Sequence, residues 1–246
     1  MSIKIMSHLV AGFPDRQGCL RAMKGLKDGG ADILELQIPF SDPTADGPVI
    51  THACEEALRN GFKVSRIFDY IGEAQKAGFE RIVVMTYANI AFHYGIKNYV
   101  RDLKAAGVEA ALVPDLPIED EEGFYQGAFD QGLVPMPVVV VNMPPERLKM
   151  LRAGPFSKLY ISIRTGITGR ETKITPAVSA FLDGLKDYER FAGFGIRSAA
   201  QVRLLEPHAE VAVVGSYFTD MICRAHVDGQ DIYETVKDTA LSLIIP

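Results

Sequence analysis

Along the chain a helical stripe, a small-residue stop and a short apolar run follow one another repeatedly. In IKNYVRDLKAAG, Ile96, Tyr99, Val100 and Leu103 fall at the i, i+3, i+4, i+7 spacing that puts them on one helix face. SAAQVRLLEPH and DIYETVKDTALSLI carry the same period, with Ser198 and Asp231 placed as N-caps for the free amides of the first turn. Glycine closes many of the helical stretches, as in KAGFERIVVMTY, AAGVEAALVPDLP and DQGLVPMPVVVV. A residue without Cβ enters the left-handed helix stop at little cost. The runs that follow are continuously apolar and not alternating, which marks parallel strands covered on both faces.

Adding IKIMSHLVAG, DGGADILELQIPF, RAGPFSKLYISIRTG, RFAGFGI and AEVAVVGS brings the strand count to eight. Eight strands alternating with as many helices predict a (β/α)8 barrel, a fold of ~250 residues. The rival, a doubly wound open sheet, needs fewer strands and normally a GxGxxG turn after the first, where this chain has AGFPD. No low-complexity stretch, charge block or Pro/Ser linker divides the sequence, so residues 1–246 read as a single domain. The first strand starts within the opening residues, so a helix capping the barrel bottom is expected to be short or absent.

Composition acts mainly by exclusion. A net charge of −5 argues against nucleic acid, whose phosphates select basic surfaces. The three cysteines, Cys19, Cys54 and Cys223, show no CxxC or Cys/His metal spacing and read as reduced thiols of a cytosolic protein. No apolar run reaches the ~18 residues of a membrane helix, and MSIKIMSHLV lacks the parts of a signal peptide.

In a barrel the chemistry sits at the C-terminal ends of the strands. Glu35 lies between Leu34 and Leu36 in a strand with no routine place for a charge. A carboxyl in such a site can deliver or accept a proton near neutral pH; the alternative is a structural ion pair with a neighbouring strand. Asp42 and Asp46 follow in a Pro/Gly-rich loop, where aspartate often only caps turns. Asp46 gains weight because it follows the same strand end as Glu35, and two carboxylates over one mouth can hold different protonation states. Glycines gather after strands six, seven and eight, at Gly166 and Gly169, Gly193 and Gly195, and Gly215 before Ser216. Such ends let backbone N–H groups reach a phosphate, although each alone also fits a tight turn. The five histidines have no metal-ligand spacing, so no metal site is expected; His8 reads as a hydrogen-bonded core imidazole before it reads as a site residue. Lys158, at a strand edge, leaves Schiff-base chemistry open. The stretch from Gly166 to Thr175 has charge and glycine but little apolar content, and reads as a lid that closes over substrate.

LELQIPFSDPTADGP resembles the signature of the tryptophan synthase alpha chain family, LELG-[VI]-PFSDP-x-ADGP, and further segments follow in order. Thr86-Tyr87-Ala88-Asn89 is similar to the family's strand-three segment, Val113-Pro114-Asp115-Leu116-Pro117 with Glu119 and Glu121 to its VPDLPxEE, and Tyr160 through Gly169 to its strand-six loop. The resemblance implies a (β/α)8 lyase that splits indole-3-glycerol phosphate into indole and glyceraldehyde 3-phosphate without metal or organic cofactor. It implies Glu35 as the catalytic acid/base and Asp46 as the second catalytic carboxylate. Ile38, Tyr87 and Leu112 would form the indole pocket wall, and Tyr160 would sit in the pocket. Thr168 would reach Asp46 from the lid, and Gly169, Phe194, Gly195, Gly215 and Ser216 would hold the phosphate. It also implies a pyridoxal-phosphate beta chain as partner in an alpha2beta2 complex, faced by Asp42. The chain departs from the family at Gln37, Phe13, Thr51 and Glu56. Those departures leave open a stand-alone indole-releasing lyase, a relative acting on another phosphorylated substrate, or a catalytically weak binding partner.

Overall fold

The computed structural model describes residues 2–163, 174–193 and 195–244. Nine parallel strands form one sheet: β1 (Lys4–Val10), β2 (Ile33–Gln37), β3 (Arg81–Met85), β4 (Ala110–Leu112), β5 (Val134–Pro135), β6 (Val138–Val140), β7 (Lys158–Ser162), β8 (Glu189–Gly193) and β9 (Val211–Val214). Their order is β5-β4-β3-β2-β1-β9-β8-β7-β6, with helices between most of them. The two outer strands of that order are halves of one run. Between them the Met136 N–H donates to the Ala111 carbonyl at 2.9 Å, and the Pro137 carbonyl accepts from the Tyr160 N–H at 3.1 Å. The run 134–140 thus bonds β4 on one side and β7 on the other, and the sheet closes as the barrel the pattern predicts. Pro135 and Pro137 have no N–H to give to the ladder, which is why the fifth predicted strand is interrupted.

Closure makes two apolar compartments. Met6, Ile33, Val83, Phe191 and Val211 fill the barrel interior, whereas Leu34, Leu36, Ile38 and Val84 pack outward against the helices. The helical stripe behaves as its spacing requires: Tyr99, Val100 and Leu103 of the helix Ile96–Ala105 are buried. Ser198 accepts from the Gln201 N–H, and Asp231 from those of Tyr233 and Glu234, as N-caps should. Gly25 lies mid-helix because its helix, Arg16–Asp28, is pressed on Ile232–Ile244; a Cβ there would stand 2.5 Å from the Tyr233 carbonyl oxygen.

Four charges cross the N-terminal end of the barrel. Arg81, Lys158 and Glu189 open β3, β7 and β8, and Glu109 immediately precedes β4. Arg81 holds Glu109 at 2.7 Å and Glu189 at 2.9 Å; Lys158 holds Glu109 at 2.9 Å and also pairs with Glu189. Both cations lie over the ring of Phe191, 5.7 and 5.9 Å from its centroid. Burial opposes the charge on Glu109, but the bonds from Arg81 and Lys158 outweigh it and hold the carboxyl below the ordinary glutamate value. Lys158 is therefore engaged at the end opposite the strands' C-termini, which removes it as a Schiff-base candidate. Among the described residues no helix is long and apolar enough to cross a membrane.

Candidate active site

The period of two along β2 decides what enters the barrel. Ile33, Glu35 and Gln37 point inward, while Leu34, Leu36 and Ile38 point to the helices. Ile38, expected in the pocket wall, is thus in the outer core and not on the cavity. Beyond β2 the chain turns back over the mouth, the Asp46 N–H donating to the Pro43 carbonyl at 2.9 Å. Gly47 and Pro48 then start the helix Pro48–Arg59, with proline at its favoured first position.

Asp46 is held at the rim through one oxygen. The Tyr87 hydroxyl and the Gln37 amide both donate to Oδ2, at 2.8 and 2.7 Å. Oδ1 has no partner among the described residues. The Tyr87 hydroxyl also accepts from the Ala45 N–H at 3.2 Å, and its ring stacks on Phe40 with centroids 5.3 Å apart. Tyr87 is therefore a buried support behind Asp46 and does not line the cavity. Burial pushes the Asp46 carboxyl above its ordinary value; His8, Tyr87 and Gln37 pull it back, and Glu35 adds to the rise. Glu35 is buried, its Oε2 lying 3.2 Å from His8 Nδ1.

A cavity of about 360 Å³ opens at this end, of a size to enclose a small substrate. Of the residues expected at the site, Glu35, Asp46, Leu112, Tyr160, Gly195, Gly215 and Ser216 line it together. Met85, Leu112, Val138 and Val213 give it apolar walls suited to an aromatic ring. Burial, with Glu35 and Asp46 close by, drives the Tyr160 phenol well above its ordinary value and keeps it neutral. Beside His8 the helix Ser216–Val227 begins at the cavity with no side chain capping its first turn, which leaves its amides and the positive end of its dipole for an anion. Gly195 has φ +74°, which only glycine adopts freely. Gly193 has a different reason: a Cβ there would stand 2.5 Å from Val213 Cβ, so packing of β8 on β9 requires it.

Thr168, Gly169 and Phe194, with most of the expected lid, lie outside the described residues. Local pattern missed Thr44, Ile50 and Ser162 and ranked His8 first as a core imidazole; all four border the cavity. For His8 the available signal was strand parity, which sends it inward from β1 as it sends Glu35 from β2.

The sequence pattern of the tryptophan synthase alpha chain family matches residues 3–241. The chain belongs to the tryptophan synthase alpha chain family. It is 33% identical to the tryptophan synthase alpha chain of Desulforapulum autotrophicum over 92% of its own length and 91% of that protein's. With that of Helicobacter hepaticus it shares 34% over 92% and 88%. Among solved structures it is similar to Mycobacterium tuberculosis tryptophan synthase, at TM-score 0.87 and 29% identity over 98% of this chain and 91% of the other. It is similar also to a variant of the tryptophan synthase alpha-subunit of Pyrococcus furiosus, at TM-score 0.85 and 31% identity over 98% and 97%. As a tryptophan synthase alpha chain it is a carbon–carbon lyase of tryptophan biosynthesis, cleaving indole-3-glycerol phosphate. Gln37, a departure from the family signature, turns out to be one of the two donors that hold Asp46.

Proposed function

We propose that Glu35 and Asp46 carry this cleavage at the barrel mouth by acid/base catalysis, within one domain spanning residues 1–246. The carboxyl of Glu35 gives a proton to C3 of the indole while Asp46 Oδ1 accepts the ring N–H, and the resulting indolenine C=N is the electron sink. The side-chain hydroxyl then returns its proton to Glu35 as the C–C bond breaks, and Asp46 returns its proton to the ring nitrogen, releasing glyceraldehyde 3-phosphate and restoring aromatic indole. The protonated substrate stores the electrons, so no cofactor is required. The indole ring lies among Met85, Leu112 and Tyr160, and the phosphate meets the amides of Gly195, Gly215 and Ser216. Matching to the family adds Gly169 and Phe194 at the phosphate and Thr168 against Asp46.

The observation that carries this reading is the convergence on one cavity of two carboxylates with different partners and an open helix N-terminus. The chain acts in the cytoplasm beside a pyridoxal-phosphate beta chain, as an alpha2beta2 complex whose docking surface includes the exposed Asp42 loop. The test is turnover of indole-3-glycerol phosphate by the purified chain, with and without a beta chain, measuring both products. Equal yields of indole and glyceraldehyde 3-phosphate, faster with the beta chain, are expected. Turnover indifferent to the beta chain would make this a stand-alone lyase; no indole in either condition would overturn the site.

A further inference from the structure

His8 has no part in the reaction just described, yet the fold brings it to Glu35. β1 and β2 pair with His8 opposite Glu35, and parity sends both side chains inward. The rings and carboxyl are almost fully enclosed, at 5% and 2% exposure, with His8 Nδ1 3.2 Å from Glu35 Oε2. Neither His8 Nε2 nor Glu35 Oε2 has a hydrogen-bond partner among the described residues, so the 3.2 Å approach is an ion-pair contact short of hydrogen-bond alignment, and the ring borders the cavity. The groups around it are few. β2 presents Glu35 and Gln37, the following loop Asp46, and β7 the Tyr160 phenol. β9 and the residues after it bring only Val213, Gly215 and Ser216, and the helix Pro48–Arg59 brings Ile50, with Cys54 behind Gln37. No lysine or arginine lines the cavity among the described residues, so His8 is the one lining group able to carry positive charge.

An imidazole against a carboxyl can hold one proton in two ways, as imidazolium with carboxylate or as imidazole with carboxylic acid. The cleavage borrows one proton and returns it, so a pair with a one-proton resting state suits it. We propose that His8 is a positioning residue that shares a single proton with Glu35 and aligns that carboxyl for the transfer to the substrate. This deepens the assignment of Glu35 and rests on it. The steps balance. Glu35 O–H breaks as indole C3–H forms and Asp46 takes the ring N–H proton; the substrate hydroxyl O–H then breaks as Glu35 O–H re-forms, and the C–C electron pair flows into the indolenine, whose nitrogen takes its proton back from Asp46. Between the steps the His8 ring stands 3.2 Å from the bare carboxylate, and a small rotation of the ring brings an N–H into line with it. The proton count of the pair is the same before and after, and no oxidant or reductant takes part. Burial alone would strip His8 of its proton; Glu35 foremost, then Asp46 and Gln37, outweigh it and raise the imidazole above its ordinary value.

His8→Asn is the informative variant, because it keeps a neutral donor beside Glu35 but cannot titrate. Loss of the shared proton sets the alkaline limb of the kcat profile, so this variant should keep KM within about threefold and move that limb down by about one pH unit or more. An unchanged limb in a folded His8→Asn would overturn the proposal, since His8 would then be only a donor. Folding is checked by the melting curve. A second readout needs no variant of uncertain fold: 15N-histidine and 13C-carboxyl spectra of the native chain should show one proton held by the pair at neutral pH, on the His8 ring or on the Glu35 carboxyl. A neutral His8 ring beside an ionised Glu35 carboxyl at neutral pH would also overturn the proposal. Glu35→Gln separates the levels. Normal turnover there removes the acid/base assignment and this inference together, whereas an inactive Glu35→Gln beside an unshifted His8→Asn removes the proton sharing alone.

Discussion

Tyr87→Phe removes one oxygen and leaves the ring stacked on Phe40. That oxygen gives a hydrogen bond to Asp46 Oδ2 at 2.8 Å and takes one from the Ala45 N–H at 3.2 Å. A hydrogen bond to a charged group contributes about 1.5–3 kcal/mol. The Gln37 amide still donates to the same Oδ2, so the lower part of that range applies. A loss of about 1.5–2 kcal/mol in the transition state corresponds to a fall in kcat of about 10- to 30-fold. KM should stay within about threefold, because the substitution leaves untouched the amides proposed to hold the phosphate. The unpaired Ala45 N–H and the weakened turn should cost about 1–2 kcal/mol of stability, a drop in Tm of about 2–8 °C. The pH dependence gives a sharper test. Burial raises the Asp46 carboxyl and Tyr87 is among the groups that lower it, so losing the hydroxyl makes Asp46 harder to ionise. Asp46 accepts the indole N–H only when ionised, and the acid limb of the kcat profile must therefore move to higher pH. The assay is indole release across pH with a thermal melt of the same preparation. An unchanged kcat with an unmoved acid limb, or a limb displaced to lower pH, would refute the reasoning.

Glu109→Gln should lower stability by about 1–3 kcal/mol in urea unfolding, because Arg81 and Lys158 are left with Glu189 alone, while indole release is unaffected. The Glu109 carboxyl is held below its ordinary value, so its contribution is complete above the glutamate range and lost as pH falls below it. The native chain should thus converge on the variant's stability in acid; a gap that widens there would contradict the pairing. In crystals grown with sulfate or phosphate, an anion should lie against the amides of Gly195, Gly215 and Ser216. An anion at the loop after β2, with those amides bare, would count against the placement of the substrate phosphate.

The barrel was legible because continuous apolar runs between helical stripes admit few architectures, and the eight runs are where the pattern puts them. The local pattern predicts an unbroken fifth strand, since it shows that valines favour a strand but not which ladder bonds Pro135 and Pro137 withhold. Glu35 and Asp46 were legible as a charge in a strand and a carboxylate after the same strand end. Ile38 went to the wrong compartment although the signal was present: if Glu35 points inward, period two puts Ile38 outside. His8 and the charged quartet were harder. Their contacts depend on the register between strands and on which strands become neighbours after closure, and neither is written in a local window. Gln37 shows the same limit. The sequence marks it as a departure, but only the fold shows that its amide reaches Asp46.

In the proposed mechanism Glu35 and Asp46 move or accept the protons that the cleavage needs while the phosphate is held elsewhere. The most direct test is kcat for indole release by Glu35→Gln and by Asp46→Asn, with calorimetric affinity for indole-3-glycerol phosphate measured on the same proteins. Each variant should lose at least ~10²-fold in kcat, the range of a positioned acid or base, and bind substrate within a few-fold of the native chain. Near-native turnover in either variant would contradict the account.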